Sequence, residues 1–148
     1  MLQRKGKFEE IVELCTENLK SDPDNLFLLR ANAHAAYEIG KIPAFSVVLT
    51  CIEKILEQSP NDIESLILQV RTLRRLDRID EAKISLESAE RIESDNPDVL
   101  VQRSSILMSD KRHSAAMEVL NRLKKIDQQR TFINLGTIAW LEKRYDDA

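Results

Sequence analysis

Glycine is almost missing from this chain, with Gly6, Gly40 and Gly136 the only three in 148 residues. A phosphate-cradling loop or a dinucleotide fingerprint needs several glycines close together, so neither is present. Histidine is equally scarce: His34 and His113 stand alone, and neither has a second His or Cys three or four residues away, as a metal pair on one helix would want. The two cysteines, Cys15 and Cys51, form no Cys-x-x-Cys pair, which argues against zinc. Each falls on the apolar side of a helical pattern and reads as a buried small hydrophobe. A disulfide between them would need two neighbouring helices to align their Cβ atoms at short range, and free thiols favour a reducing compartment.

Aromatic residues make up 5% of the chain, and 22 basic residues nearly balance 25 acidic ones for a net charge of −3. Such a balance gives no general attraction to nucleic acid or an anionic membrane, and stacking side chains for RNA are sparse. No apolar run approaches bilayer length, and Met1 to Phe8 carries no apolar signal core. A cytoplasmic setting is the expectation. Alternating apolar and polar residues with hairpin turns, the mark of strands, are missing as well. Acid pairs such as Glu9-Glu10 and Asp146-Asp147 sit where negative charge favours a helix start, a simpler account than a hydrolase dyad. No catalytic residue, metal site or cofactor is expected, and the chain does not read as an enzyme.

What the chain does contain is a copy of itself. Pro23, Pro60 and Pro97 lie 37 residues apart. Gly40 falls on Asp77, Leu49 on Leu86, Ile52 on Ala89 and Ile55 on Ile92. A period of this size means one supersecondary unit stacked on copies of itself, because no single unit can bury its own apolar face. Each unit reads as two helices. Phe8, Ile11, Val12, Leu14, Cys15 and Leu19 recur at helical spacing, and Asp22-Pro23-Asp24-Asn25 then stops the helix.

The stretch from Gly6 to Asn25 resembles the second helix and closing turn of a tetratricopeptide repeat: glycine, one residue, an aromatic, two acids, and later Asp-Pro-x-Asn. Only Ile11 departs, standing where a small residue is usual. The resemblance recurs with Ala82 in Arg78–Lys83, with Ala116 in Arg112–Met117, and in Leu135-Gly136 followed by Tyr145-Asp146-Asp147-Ala148. Leu29, Leu66, Leu100 and Phe132 occupy the bulky position of the first helices. Ala33, Val70, Ser104 and Gly136 occupy the close-packing position, where Val70 fits poorly. Other helical repeats, of the pentatricopeptide or HEAT kind, match these segments less well. The resemblance implies an all-α, right-handed α-solenoid of antiparallel helix pairs. The expected layout is a partial repeat over 1–25, repeats over about 26–62, 63–96 and 97–128, and a partial repeat over 129–148. Neither end supplies a cap, so a segment of a longer repeat protein is expected; a complete chain should pair its raw ends with another copy.

The spacing predicts helix pairs near 26–39 and 43–58, 62–76 and 79–94, and 97–109 and 113–126, with a lone helix over about 7–20 and a last one near 130–142. The plain repeat is about 34 residues. The two 37-residue intervals therefore predict, in each, a second helix about one turn longer or a longer connection. Ala82 and Ala116 are expected to be buried where paired helices cross.

By the resemblance, the first helices line a concave groove. One face of each, by helical spacing, presents Phe27, Arg30, His34 and Tyr37, then Ile67, Arg71, Arg74 and Arg75. Val101, Ser105 and Met108 follow, and then Arg130, Ile133, Thr137 and Trp140. Such a groove begins basic and aromatic and becomes apolar, which suits a protein or peptide partner with acidic and apolar segments. The plainer reading is a solvated helix face whose arginines pair with nearby acids. The clamp by which some tetratricopeptide proteins hold chaperone carboxylates does not fit: Arg30 can stand for the first lysine, but His34, Leu68 and Asp98 replace an asparagine, an asparagine and a lysine. The leading expectation is a non-catalytic interaction scaffold. The alternative is a substrate-recruiting accessory domain of a larger enzyme, such as a glycosyltransferase or an effector protease.

Overall fold

Every joint between helices coincides with a residue suited to stop or start one. The computed structural model describes residues 2–127 and Lys143, and its ordered elements are α1 (Leu2–Leu19), α2 (Leu26–Ile39), α3 (Ile42–Gln58), α4 (Ile63–Arg75), α5 (Ile79–Ile92), α6 (Pro97–Ser109) and α7 (His113–Ile126). Asn25 caps α2 by accepting a hydrogen bond from the Leu28 N–H at 3.1 Å. Asn96 does the same for α6, accepting from the N–H of Asp98 at 2.9 Å and of Val99 at 3.4 Å. Pro43 and Pro97 sit in the first turns of α3 and α6, where a missing N–H costs nothing.

Helix ends carry a shared signature. Gly40 (φ 70°), Asp77 (φ 57°) and Lys111 (φ 59°) adopt the left-handed conformation just after α2, α4 and α6. The Arg78 N–H reaches the Leu73 carbonyl at 2.9 Å and the Asp77 N–H the Arg74 carbonyl at 3.1 Å. The same pair recurs from Arg112 to Leu107 at 2.8 Å and from Lys111 to Met108 at 3.0 Å. These closures satisfy carbonyls that a helix end leaves open.

Contacts divide the chain into two units, residues 1–82 and 83–148. In the first, α1 packs on α2, α2 on α3 and α3 on α4. Leu29, Ala33, Ala36, Phe45, Val48, Cys51, Ile52, Ile55 and Leu68 form its core. The small side chains of Ala33 and Ala36 are buried completely, which lets the α2 backbone approach its neighbours. In the second unit α6 packs on α7 around Leu100, Leu107, Ala116, Leu120 and Leu123. Ion pairs Lys83–Asp110 (2.9 Å) and Arg103–Glu90 (3.2 Å) tie α5 to α6 and its C-terminal end there.

Three expectations need correction. The first helix starts at Leu2, not near residue 7, because the polar N-terminal segment continues the helix without an apolar stripe to announce it. Leu14, read as part of the apolar face of α1, is 64% exposed. Of the two long intervals, each expected to hold a second helix about one turn longer or a longer connection, only the first does: α3 has 17 residues, whereas α5 has 14, like α7, and the connection after α5 is no longer than that after α3. The left-handed residues show why: Gly40 to Asp77 spans 37 positions and Asp77 to Lys111 spans 34. Pro60 precedes the α4 cap residue Asp62 by two places, while Pro97 follows the α6 cap residue Asn96. The two prolines are thus not equivalent. Ala82 and Ala116 are fully buried as expected, and both cysteines are free and buried. The helix expected near 130–142, with Phe132, Gly136 and Trp140, lies outside the described residues.

Candidate functional site

The basic and aromatic residues of α2 and α4 all belong to the first unit. Arg75 closes α4, where positive charge complements the helix dipole. Its guanidinium carbon lies 5.1 Å from the centre of the Tyr37 ring and 6.0 Å from that of Phe45. The two rings are themselves 6.1 Å apart and inclined at 44°. Phe45 is buried and Tyr37 half-buried, so Arg75 rests on a largely sheltered aromatic wall. Arg74, the preceding residue, and Arg71, one turn back, are half-buried. Burial pulls the Arg74 pKa below the usual arginine value; Tyr37 works against that, and the charge of Arg71 adds to it. Arg71, Arg74, Arg75, Tyr37 and Phe45 therefore form one basic-aromatic cluster.

The remaining residues of the expected groove are less uniform. His34 is exposed, and Phe27 is 78% exposed, unusual for a phenylalanine. Arg30 turns to Asp62, with Nη1 2.7 Å from Oδ2, as the plainer reading expects. Ile67 is buried in the packing of α4 and offers no open surface. Met108, in the second unit, is half-buried against the α6–α7 core. Trp140 lies outside the described residues. Sequence reasoning missed Phe45 and Asp62. Asp62 holds the N-cap position of α4 without a side-chain cap hydrogen bond, and nothing local pointed to its pairing with a residue 32 positions away.

A second feature lies on the other side of α2. A cavity of about 250 Å³ is walled by Leu19, Leu29 and Val47, with Asn32 and Cys51 among its lining and Ser46, Thr50 and Lys54 along α3. Asn32 is 3% exposed, and its Oδ1 has no hydrogen-bond partner. Burial pushes the Cys51 thiol up to about 11, against the lowering effect of Lys54 and of a hydrogen bond from Asn32. The half-buried His113 at the start of α7 likewise has an unpartnered Nδ1. Among the described residues, no three His, Cys, Asp or Glu side chains converge as metal ligands. No described helix is long and apolar enough to cross a membrane.

No protein-family model and no curated protein sequence matches the chain. Solved structures do. A crystal structure of MamA superposes with a TM-score of 0.77 at 18% identity, over 97% of this chain and 84% of that one. The fold is that of a tetratricopeptide repeat array. MamA MSR-1 C2 gives a TM-score of 0.70 at 18% identity, over 84% of this chain and 70% of the other. A MamA mutant gives 0.65 at 20% identity over 78% of this chain, and there the match spans 66% of the mutant's length. At such identities the likeness establishes the helical-repeat fold, in which helix pairs supply the surface that sequence differences then individualise.

Proposed function

We propose that this chain is a non-catalytic scaffold that binds a protein or peptide partner through the α2–α4 face of its first unit. The partner segment is acidic, ends in or carries a carboxylate, and has an apolar side chain beside it. The observation that carries this reading is the seating of Arg75 on Tyr37 and Phe45 next to Arg71 and Arg74. An arginine resting on aromatic rings loses little freedom when it engages a ligand, and its planar fork matches a carboxylate with two parallel hydrogen bonds. The exposed ring of Phe27 supplies apolar contact near the same helix face, and exposed His34 supplies a ring N–H. Partial desolvation of Arg74 strengthens any charge-assisted bond it makes.

Fluorescence anisotropy with a fluorescein-labelled acidic peptide bearing a free C-terminal carboxylate tests this. Affinity is expected to fall as salt rises, since exposed charges are screened beyond about 8 Å at physiological ionic strength. Arg75→Glu is expected to abolish binding with helicity unchanged by circular dichroism. Equal binding by the charge-reversed chain would sink the proposal.

A further inference from the structure

Ile11 and Leu14 lie open on α1, while their counterparts in the other second helices are covered. Gly6, Gly40, Asp77 and Lys111 hold equivalent places in the repeat. The fifth residue after each is Ile11, Phe45, Ala82 and Ala116, and the eighth is Leu14, Val48, Ser85 and Val119. Phe45, Val48, Ala82, Ser85 and Ala116 are buried and Val119 is half-buried. In α3 and α7 the preceding helix packs on them, α2 on α3 and α6 on α7. Ile11 and Leu14 are instead 37% and 64% exposed, and Glu10, Glu13 and Glu17 line one open depression with Leu14. Among the described residues, no helix covers that face as α2 covers α3. Side-chain size says what would fit there. Twelve positions before Phe45, Ala82 and Ala116 stand the close-packing residues Ala33, Val70 and Ser104, and all six are buried. Every pair contains an alanine, and the large members, Phe45 and Val70, never meet each other. A crossing packed to native density has room for one large side chain, not two. Ile11 is large, so the helix that covers it is small at this place. Gly136 is the smallest of the four close-packing residues.

We propose that the open face of α1 docks residues 130–142 of a second copy of this chain, with Gly136 set over Ile11. That segment reads from the sequence as a first helix and lies outside the described residues. Helices joined by a short turn, as α2–α3 and α6–α7 are, run antiparallel. In the same arrangement Phe132, one turn before Gly136, meets Leu14, one turn after Ile11. Arg130 then falls beside Glu13 and Glu17 and sets a positive charge against the acidic rim. Pairing α1 with itself would instead bring Glu10, Glu13 and Glu17 against the same three residues, and like charges across an interface are costly. The contact uses different surfaces on the two copies, so it is heterologous. Each copy still offers a free face and a free segment, and association continues into a chain or closes as a ring.

Analytical ultracentrifugation of the whole chain, up to the millimolar range, tests this. Assemblies that grow past a dimer with concentration are expected, and a chain that stays monomeric throughout would overturn the proposal. Leu14→Lys, at an exposed position, and Gly136→Val are each expected to give a monomer with helicity unchanged by circular dichroism. Mixed in equal amounts, the two variants retain one intact segment and one intact face between them, so they should form a dimer and stop there. Ile11→Ala should weaken association by about tenfold or more. Ile11→Ala and Gly136→Val in one chain copy the Val70 and Ala82 arrangement and should recover it. Association untouched by Gly136→Val, or a mixture that forms no dimer, shows that α1 meets some other surface and overturns the proposal. Neither result bears on the arginine face.

Discussion

Arg30 Nη1 lies 2.7 Å from Asp62 Oδ2, joining the middle of α2 to the residue that opens α4. The same carboxylate accepts a hydrogen bond from the Ser65 hydroxyl. Asp62 is mostly sheltered and Arg30 only partly so, with side-chain exposures of 15% and 36%. The pair thus sits between the surface and buried regimes. Asp62→Ala is expected to lower stability by about 1 kcal/mol, read from the urea midpoint. The same change frees Arg30, so an acidic peptide should bind the α2–α4 face more tightly, not less. Unchanged peptide binding by this variant would show that Arg30 is remote from the contact surface.

Ala82 and Ala116 have no exposed surface. Adding three carbons at either site overpacks a closed core, so Ala82→Leu and Ala116→Leu should each cost about 1–3 kcal/mol. Ser114→Leu, at an exposed neighbouring position, should stay within about 0.5 kcal/mol. Thermal melts of the three variants separate the effect of burial from that of the substituted side chain.

The three left-handed residues make a graded prediction. Lys111 and Asp77 bear a Cβ in a conformation that penalises one, and Asp tolerates it better than Lys. Lys111→Gly should therefore stabilise by up to about 1 kcal/mol and Asp77→Gly by less. Gly40→Ala should destabilise by about 1 kcal/mol. A Cβ at Gly40 would meet Arg75 Nη1 at 3.6 Å, an ordinary contact, so that cost comes from the backbone and not from crowding. Chemical denaturation of the three variants gives the order.

Cys51 predicts an alkaline weakness. Burial raises its pKa from 9.0 to about 11 in the folded chain. Below pH 9 the thiol is protonated in both the folded and the unfolded chain, and its contribution is fully present. As pH rises from 9 toward 11 the unfolded chain loses the proton first, so stability falls. The slope approaches at most about 1.4 kcal/mol per pH unit. Cys51→Ala should flatten that part of the profile, although its absolute stability drops with the lost packing. The thiol should also react with a disulfide reagent at pH 8 only as fast as the chain opens. A Cys51 that reacts at the rate of a free thiol would contradict this.

The helices from α2 to α7 were legible almost residue by residue, since apolar spacing and the Asp, Asn, Gly and Pro residues at the joints act over three or four positions. The N-terminal part of α1 was not, because Leu2 to Lys7 continues the helix with almost no apolar residue to report it. The repeat length was misread for a related reason. Proline suits both a turn ahead of a cap, as at Pro60, and the first helical position, as at Pro97, so equal proline spacing concealed unequal repeats.

The candidate site divides along the same line. That α2 and α4 carry a stripe of Arg, His and Tyr follows from the 3.6-residue period, which depends on the chain alone. Whether a given arginine is open, stacked or paired depends on the rotation and spacing of neighbouring helices. Core packing sets both, so only the tertiary structure sends Arg30 to Asp62, seats Arg75 over Tyr37 and Phe45, and buries Ile67. The same is true of Asn32. Its place between two alanines marks it as helical, but only the packing of α1, α2 and α3 buries it with its oxygen unpartnered.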